Sequence, residues 1–364
     1  MERKHFSRLL LAILFIVSFS QFPRGVDFEG YYHTLLAARS SGFAEIPYPT
    51  GQVEQGAYFQ SPVLSVLYTP FTWLSPFGAK LLWAILVSIA FLGLSKKWLS
   101  SQRSRASSFF LFLLFTYPCT DVFLSGNTNV LIFMCLMSGL LPFLALALFL
   151  KPQVVLLVPF LGRRVGKIAS WVLGWFLMTL VFFGPNLSLL WWRRWVEALK
   201  YYGHAAGPGR VSFQSPPAMA FRLFGEKLFL ANLVGIVFAG SLLFLATRRP
   251  RAAFAFLLAA LYVVTPFSWA SAILFLFPLA LEYLNRGEPS IPAWVFVLLY
   301  ALLQKALLPR SIWEFLIEHN HHGWCLVGLI TLFVLRVFEK EPNWLRGTPL
   351  LREATVPPTA LSAG

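Results

Sequence analysis

Apolar residues run along this chain in long unbroken blocks. They show neither the alternation of a half-exposed strand nor the one-sided stripe of a helix lying on a soluble core. The blocks run from Leu9 to Phe22, Leu81 to Leu94, Phe109 to Tyr117, Val130 to Leu150, Ile168 to Phe183, Leu228 to Ala246, Ala252 to Val264, Ala270 to Leu281, Ala293 to Leu303 and Cys325 to Val337. A complete helical crossing of a bilayer needs roughly 20 mostly apolar residues. Some blocks reach that length only with flanking Trp, Tyr, Ser and Gly, and the others predict tilted or broken helices sheltered by neighbours. The pattern predicts an all-α polytopic membrane bundle of about 10–12 transmembrane segments. The stretch from Asn127 to Gly162 admits two readings, one crossing plus a re-entrant hairpin or three short crossings. Both counts are odd, so the orientation of everything downstream is the same.

Composition agrees. Of 364 residues, 57% are hydrophobic and 12% charged, where a soluble domain carries about 25% charged. The net charge of +15 would suggest nucleic acid in a soluble protein. Here the cations fall in the connections between apolar blocks, which points to membrane topology and phosphate groups and to no nucleic acid. Arg3, Lys4 and Arg8 place the amino end in the cytoplasm. Ser20-Gln21-Phe22-Pro23-Arg24 is not a small-x-small cleavage site, so the first block reads as a retained helix. Lys96, Lys97, Arg103 and Arg105 mark an inner connection, as do Arg163, Arg164 and Lys167, and later Arg248, Arg249 and Arg251. Outer loops then cover 23–77 and 185–227, the membrane domain covers 1–340, and 341–364 is a cytoplasmic, disordered tail with Pro357-Pro358. Cys119, Cys135 and Cys325 lie in or beside apolar runs with neither metal nor disulfide spacing.

The chemistry-bearing residues are few. The only aspartates are Asp27 and Asp121, both near outer helix ends, and ionisable groups near membrane depth are functional candidates. Asp27 also reads as a cap for a helix starting at Phe28. Lys151 ends an apolar run before Pro152, either snorkelling to the interface or facing an anionic ligand. The second outer loop is rich in cations (Arg193, Arg194, Lys200, Arg210, Arg222 and Lys227) against Glu197 and Glu226, contrary to the positive-inside tendency. Leu189 to Trp195 reads as an interfacial amphipathic helix. The same loop carries Gln214 and Ser215 before Pro216, and Arg222 is a planar, bidentate phosphate donor. His319-Asn320-His321-His322 reads as a polar cap of a short outer loop, not a metal site. Phosphate-binding glycine loops are absent, which argues against direct use of a cytosolic nucleotide.

Several short motifs occur in a telling order: Asp27 with Tyr31-Tyr32; Tyr58-Phe59-Gln60-Ser61-Pro62; Gly126-Asn127; Lys151-Pro152; Gln214-Ser215-Pro216 with Arg222-Leu223; and Thr265-Pro266-Phe267-Ser268-Trp269. In this the chain resembles the polyprenyl-phosphate-sugar-dependent glycosyltransferases of the GT-C fold, and most of all family eighty-seven, the alpha-mannosyltransferase type. The resemblance covers roughly residues 5 to 340. Relatives often carry histidine after the Ser-Trp element, where this chain has Ala270 and Ser271. The resemblance implies a GT-C-like membrane enzyme that moves a sugar, mannose above all, from a polyprenyl-phosphate donor to a glycolipid or glycan hydroxyl with inversion. Asp27 would be the catalytic base. Lys151, Arg222, Gln214, Ser215 and Arg210 would hold the donor phosphate. Tyr31, Tyr32, Asn127, Ser268 and Trp269 would contact sugar or acceptor. No metal and no cofactor beyond the donor are implied. The partners are membrane lipids, donor and acceptor. The setting is a bacterial plasma membrane with both termini cytoplasmic and the active site outward. A transporter or flippase of a lipid-linked or anionic solute is the rival reading, though the paired repeats usual in transporters are not visible.

Overall fold

The structure is a computed structural model that describes residues 3–23, 26–44, 48, 60–99, 104–126, 128–205, 215–225, 227–264, 270–302 and 309–339. Among them every regular element is a helix, as the apolar blocks predict. Four helices are long and apolar enough to cross a membrane unaided: α5 (Arg105–Ser125), α8 (Val165–Phe183), α11 (Leu228–Arg248) and α16 (His321–Glu339). Seven shorter apolar stretches accompany them. Large side chains stand exposed on the long helices, including Leu173 and Val181 of α8 and Ile236 and Phe244 of α11. In a membrane protein such a surface faces lipid. By contrast α12 (Ala253–Val264) is buried on every side from Ala253 to Val263. A helix apolar all round is a central one.

The first connection is a folded platform. Helix α1 (Arg3–Phe19) packs along α5, and α4 (Pro76–Leu99) returns beside it. Between them lie α2 (Val26–Ser40), α3 (Pro62–Tyr68) and a short 3-10 turn over Thr69–Trp73. Ser61 caps α3 by accepting the Leu64 N–H at 3.4 Å, with Pro62 in the first helical position where its missing donor costs nothing. Helix α2 starts at Val26 rather than Phe28, so Asp27 lies inside its first turn instead of capping it.

Between residues 128 and 162 the chain forms two short helices and a 3-10 run. Gly126 (φ 68) ends α5 in the left-handed conformation, and α6 (Asn129–Ser138) begins three residues later. Gly139 (φ 67) stops α6, and α7 (Leu141–Leu150) runs back to Lys151. Each is 10 residues long, or about 15 Å, half the thickness of the hydrocarbon core. Lys151 at the end of α7 reaches Asn129 at the start of α6, so the hairpin comes back to the level it left. The chain then continues in a 3-10 run over Pro152–Arg164. Such runs rarely exceed a turn or so, and this one is broken at Gly162, where φ is 52 and ψ is −130.

The second connection contains α9 (Pro185–Ala205) and α10 (Pro216–Leu223). Helix α9 buries Ser188, Trp191, Trp195 and Ala198 and exposes Leu189, Arg193 and Val196, the two-faced character its sequence predicts. The remaining elements are a 3-10 segment over Ala270–Leu276, α13 (Phe277–Asn285), α14 (Ile291–Leu302) and α15 (Arg310–Glu318). Glycines allow close approaches: a Cβ at Gly235 of α11 would lie 2.7 Å from Pro217 Cγ, and one at Gly328 of α16 would lie 2.6 Å from the Phe296 ring of α14.

Candidate active site

Asp27 sits half-buried in the first turn of α2, where the helix dipole favours a carboxylate. Its neighbour Phe28 fixes the backbone there. The Phe28 side chain is buried, stacked on Trp83 of α4 with ring centroids 5.6 Å apart and edge-on to Phe71 at 5.6 Å. From the other side Gly126 presses against it, and a Cβ on Gly126 would lie 2.5 Å from Phe28 Cβ and 3.2 Å from its backbone nitrogen. The glycine at the end of α5 thus allows the residue after Asp27 to touch the α5–α6 junction.

The other carboxylate of that turn, Glu29, has a different task. Its Oε2 accepts from Lys80 Nζ at 2.9 Å, and Lys80 also donates to the Pro23 carbonyl at 3.0 Å. The hydrogen bond from Lys80 holds the Glu29 carboxyl below the usual range. Glu29 therefore clamps α2 to α4. His33 lies 3.8 Å from it on the exposed side.

Lys151 is the residue that the sequence marks most clearly and the structure encloses most fully. It is 9% exposed, its Nζ donates to Asn129 Oδ1 at 3.4 Å, and the ammonium lies 5.2 Å from the Phe275 ring centroid. Among the described residues no carboxylate lies within ion-pair distance of it. An ammonium has three N–H donors, and one amide oxygen takes one of them. A buried charge costs heavily unless an opposite charge and hydrogen bonds offset the lost water, so this environment suits an anionic ligand. The Val154 N–H donates to the Lys151 carbonyl at 2.9 Å. Val154 also lines an apolar groove with Leu136, Leu144, Leu148, Leu157 and Phe254 among others.

The remaining candidates divide. Tyr31 accepts from Gln60 Nε2 at 2.9 Å and packs edge-on to Tyr68 at 5.9 Å. Tyr32 is buried, and its hydroxyl donates to the Leu74 carbonyl at 2.8 Å, tying α2 to the platform. Ser215 is fully buried at the start of α10. Arg222, in the last turn of α10, donates through Nε to Asn320 Oδ1 at 2.7 Å and through a terminal nitrogen to the same oxygen. Burial lowers its pKa to about 10, which leaves it a cation at neutral pH. Asn127, Arg210, Gln214, Ser268 and Trp269 lie outside the described residues.

The structure thus joins the start of α2 to the α5–α6 junction, and Lys151 to Asn129 and Phe275, through direct contacts, while Arg222 is held by the α15–α16 turn. Sequence reasoning reaches Asn129 only as the last residue of Gly126-Asn127-Thr128-Asn129 at a helix start, and Asn320 only as part of a polar cap. It missed Phe275 and Lys80, which carry no local signal. In the His319–His322 segment, His319 stays exposed while Asn320 and His322 turn inward. Among the described residues no group of three His, Cys, Asp or Glu gathers as a metal site.

An all-helical bundle with a first-turn carboxylate and a buried ammonium, both placed at breaks in its helices, is, by class, an integral membrane protein. The family model of glycosyltransferase family 87 matches residues 58–276, more than half of the chain. The chain belongs to that family and is a membrane glycosyltransferase. The matched span includes Lys151, Ser215 and Arg222 and leaves out Asp27 and Asn320. No curated protein and no solved structure matches the chain.

Proposed function

We propose that this enzyme transfers a hexose, mannose in the first instance, from a polyprenyl-phosphate donor to a hydroxyl of a glycolipid or glycan at the outer face of a plasma membrane. The observation that carries the reading is Lys151: a buried ammonium, facing an amide oxygen and a phenyl ring, beside an apolar groove. A ligand with an anionic head and a long apolar tail satisfies both parts, and a polyprenyl phosphate is such a ligand.

In the proposed reaction the acceptor oxygen attacks the anomeric carbon in line with the departing phosphate oxygen. The new C–O bond forms as the sugar–phosphate bond breaks, and the configuration inverts. The acceptor proton passes to Asp27, the general base, and the polyprenyl phosphate leaves as an anion. That leaving group needs cations and hydrogen-bond donors instead of a general acid. Lys151 and Arg222, with Ser215, Gln214 and Arg210, supply them. Tyr31, Tyr32, Asn127, Ser268 and Trp269 contact sugar or acceptor. The tail lies in the apolar groove.

The test is transfer in proteoliposomes from polyprenyl-phosphate mannose to glycolipids extracted from cells lacking the gene, with the product identified by mass spectrometry. Lys151→Met should raise the donor KM while the acceptor KM stays within about twofold. No transfer by the wild type, or equal changes in both constants, would sink the reading.

A further inference from the structure

Two arginines of α9 take no part in the proposed transfer. Arg193 and Arg194 share a single carboxylate: Arg193 Nε donates to Glu197 Oε1 at 3.1 Å, and a terminal nitrogen of Arg194 donates to Glu197 Oε2 at 3.2 Å. Two cations against one anion leave one positive charge over. Among the described residues no other carboxylate lies within ion-pair distance of either arginine. Their side chains are 78% and 42% exposed. Each guanidinium has five N–H donors, and Glu197 takes one from each.

The surface around the pair is apolar. Leu189 and Leu190 stand one turn before the arginines and Val196 less than a turn after, all exposed. The other side of α9 is held by the protein. Trp191 is buried and stacked on Phe183 with ring centroids 4.7 Å apart, and Trp192 Nε1 donates to Thr179 Oγ1 at 2.9 Å. Both partners belong to the last turns of α8, one of the helices long enough to cross a membrane. Where α8 ends, lipid gives way to water, and α9 begins there. An interfacial helix sinks apolar side chains among acyl chains and turns its cations to the headgroups. A planar guanidinium fork matches a phosphate, and a singly charged phosphodiester balances the one surplus positive charge. We propose that this face of α9 is a binding site for an anionic phospholipid, with its phosphate held by Arg193 and Arg194 and its acyl chains lying over Leu189, Leu190 and Val196. The site is separate from the one at Lys151 and does not depend on the donor reading.

The probe is phosphatidylglycerol, with zwitterionic phosphatidylcholine and inorganic phosphate as controls, titrated against detergent-solubilised full-length protein and followed by thermal stabilisation. Phosphatidylglycerol should stabilise the wild type at lower concentration than phosphatidylcholine, with no effect of inorganic phosphate in that range. Arg193→Gln removes one cation at a membrane surface and should weaken phosphatidylglycerol about fivefold. Glu197→Gln removes the competing carboxylate and should strengthen it by a similar factor, a gain that damaged folding does not imitate. A parallel titration with farnesyl phosphate, a short polyprenyl phosphate, reports the Lys151 site and should stay within about twofold of wild type in both variants, as for distant sites. Equal stabilisation by phosphatidylcholine or inorganic phosphate, or wild-type phosphatidylglycerol affinity in either variant that folds, would overturn the proposal. So would a farnesyl phosphate affinity that moves in step with that of phosphatidylglycerol.

Discussion

Replacing Gly126 by alanine tests whether the α5–α6 junction positions Asp27. Two separate costs arise there. The backbone at φ 68 is left-handed, which costs an L-residue roughly 1–2 kcal/mol. The new methyl would also lie 2.5 Å from Phe28 Cβ and 3.2 Å from Phe28 N, far inside the ordinary carbon contact of about 3.5–4.0 Å. Overpacking of this kind costs about 1–3 kcal/mol. Phe28 has little room to retreat, because Trp83 and Phe71 hold its ring from the other side.

The control is Gly42→Ala. Gly42 has nearly the same backbone, φ 63, with nothing within 4 Å of the place a methyl would take, so it carries the backbone cost without the clash. Thermal unfolding in detergent should rank wild type first, Gly42→Ala second and Gly126→Ala last, with the second step as large as the first or larger. The clash pushes on the residue next to Asp27, so turnover of Gly126→Ala should also fall at temperatures where all three proteins are fully folded, while Gly42→Ala keeps wild-type turnover. If the two alanine variants match in both melting and turnover, the Gly126–Phe28 contact is not what sets the position of the α2 first turn.

Asp27→Asn should lower kcat by a factor of about 10² to 10⁴, the usual contribution of a general base, with donor binding little changed in the farnesyl phosphate titration; near-normal turnover removes Asp27 from that role. Tyr32→Phe removes the hydrogen bond from the phenol to the Leu74 carbonyl and should cost about 0.5–1.5 kcal/mol in unfolding free energy, with the farnesyl phosphate affinity of the folded protein unaltered; unchanged melting would mean water replaces the phenol. Glu29 titrates below its usual 4.5 because Lys80 stabilises the carboxylate. Its contribution is therefore present above that pH and lost as the pH falls through the lowered value. The pair is partly exposed and worth under about 1 kcal/mol, so Glu29→Gln should slightly lower the melting temperature at pH 6 and flatten its decline on acidification. A decline as steep as that of the wild type would show that other carboxylates control acid unfolding.

The fold class was legible because the blocks of apolar residues leave no surface for water, and no tertiary detail is needed to see that. The path between Asn127 and Gly162 was not, for a reason intrinsic to membrane helices. Helices α6 and α7 are apolar all round, so periodicity says nothing about which way they run or how deep they go. The contact between Asn129 and Lys151, which sets the two helix ends side by side, is supplied only by the folded chain. Lys151 itself stands out because a lysine interrupts an otherwise apolar run, while its ring partner, Phe275, is one of 37 phenylalanines and nothing local distinguishes it. Asn320 reads in the sequence as part of a polar cap because the pairing that gives it meaning spans 98 residues.

Where the site residues fall follows from the same physics. Inside a bilayer each helix satisfies its own backbone, and a polar side chain is tolerated only where it faces other protein or a wet cavity. Helix breaks meet those conditions, since there the backbone itself needs partners. Asp27 lies in the first turn of α2, Asn129 opens α6 just after a left-handed glycine, and Lys151 stands between α7 and the 3-10 run. Ser215 opens the short α10, and Asn320 is the left-handed residue between α15 and α16. For two such breaks to meet, they must lie at the same depth. Two consecutive antiparallel helices joined by a tight turn bring the start of the first and the end of the second to the same level. The turn at Gly139 between α6 and α7 is therefore what makes an asparagine and a lysine 22 residues apart into neighbours, and removing it would leave Lys151 without its amide partner even if every other helix survived.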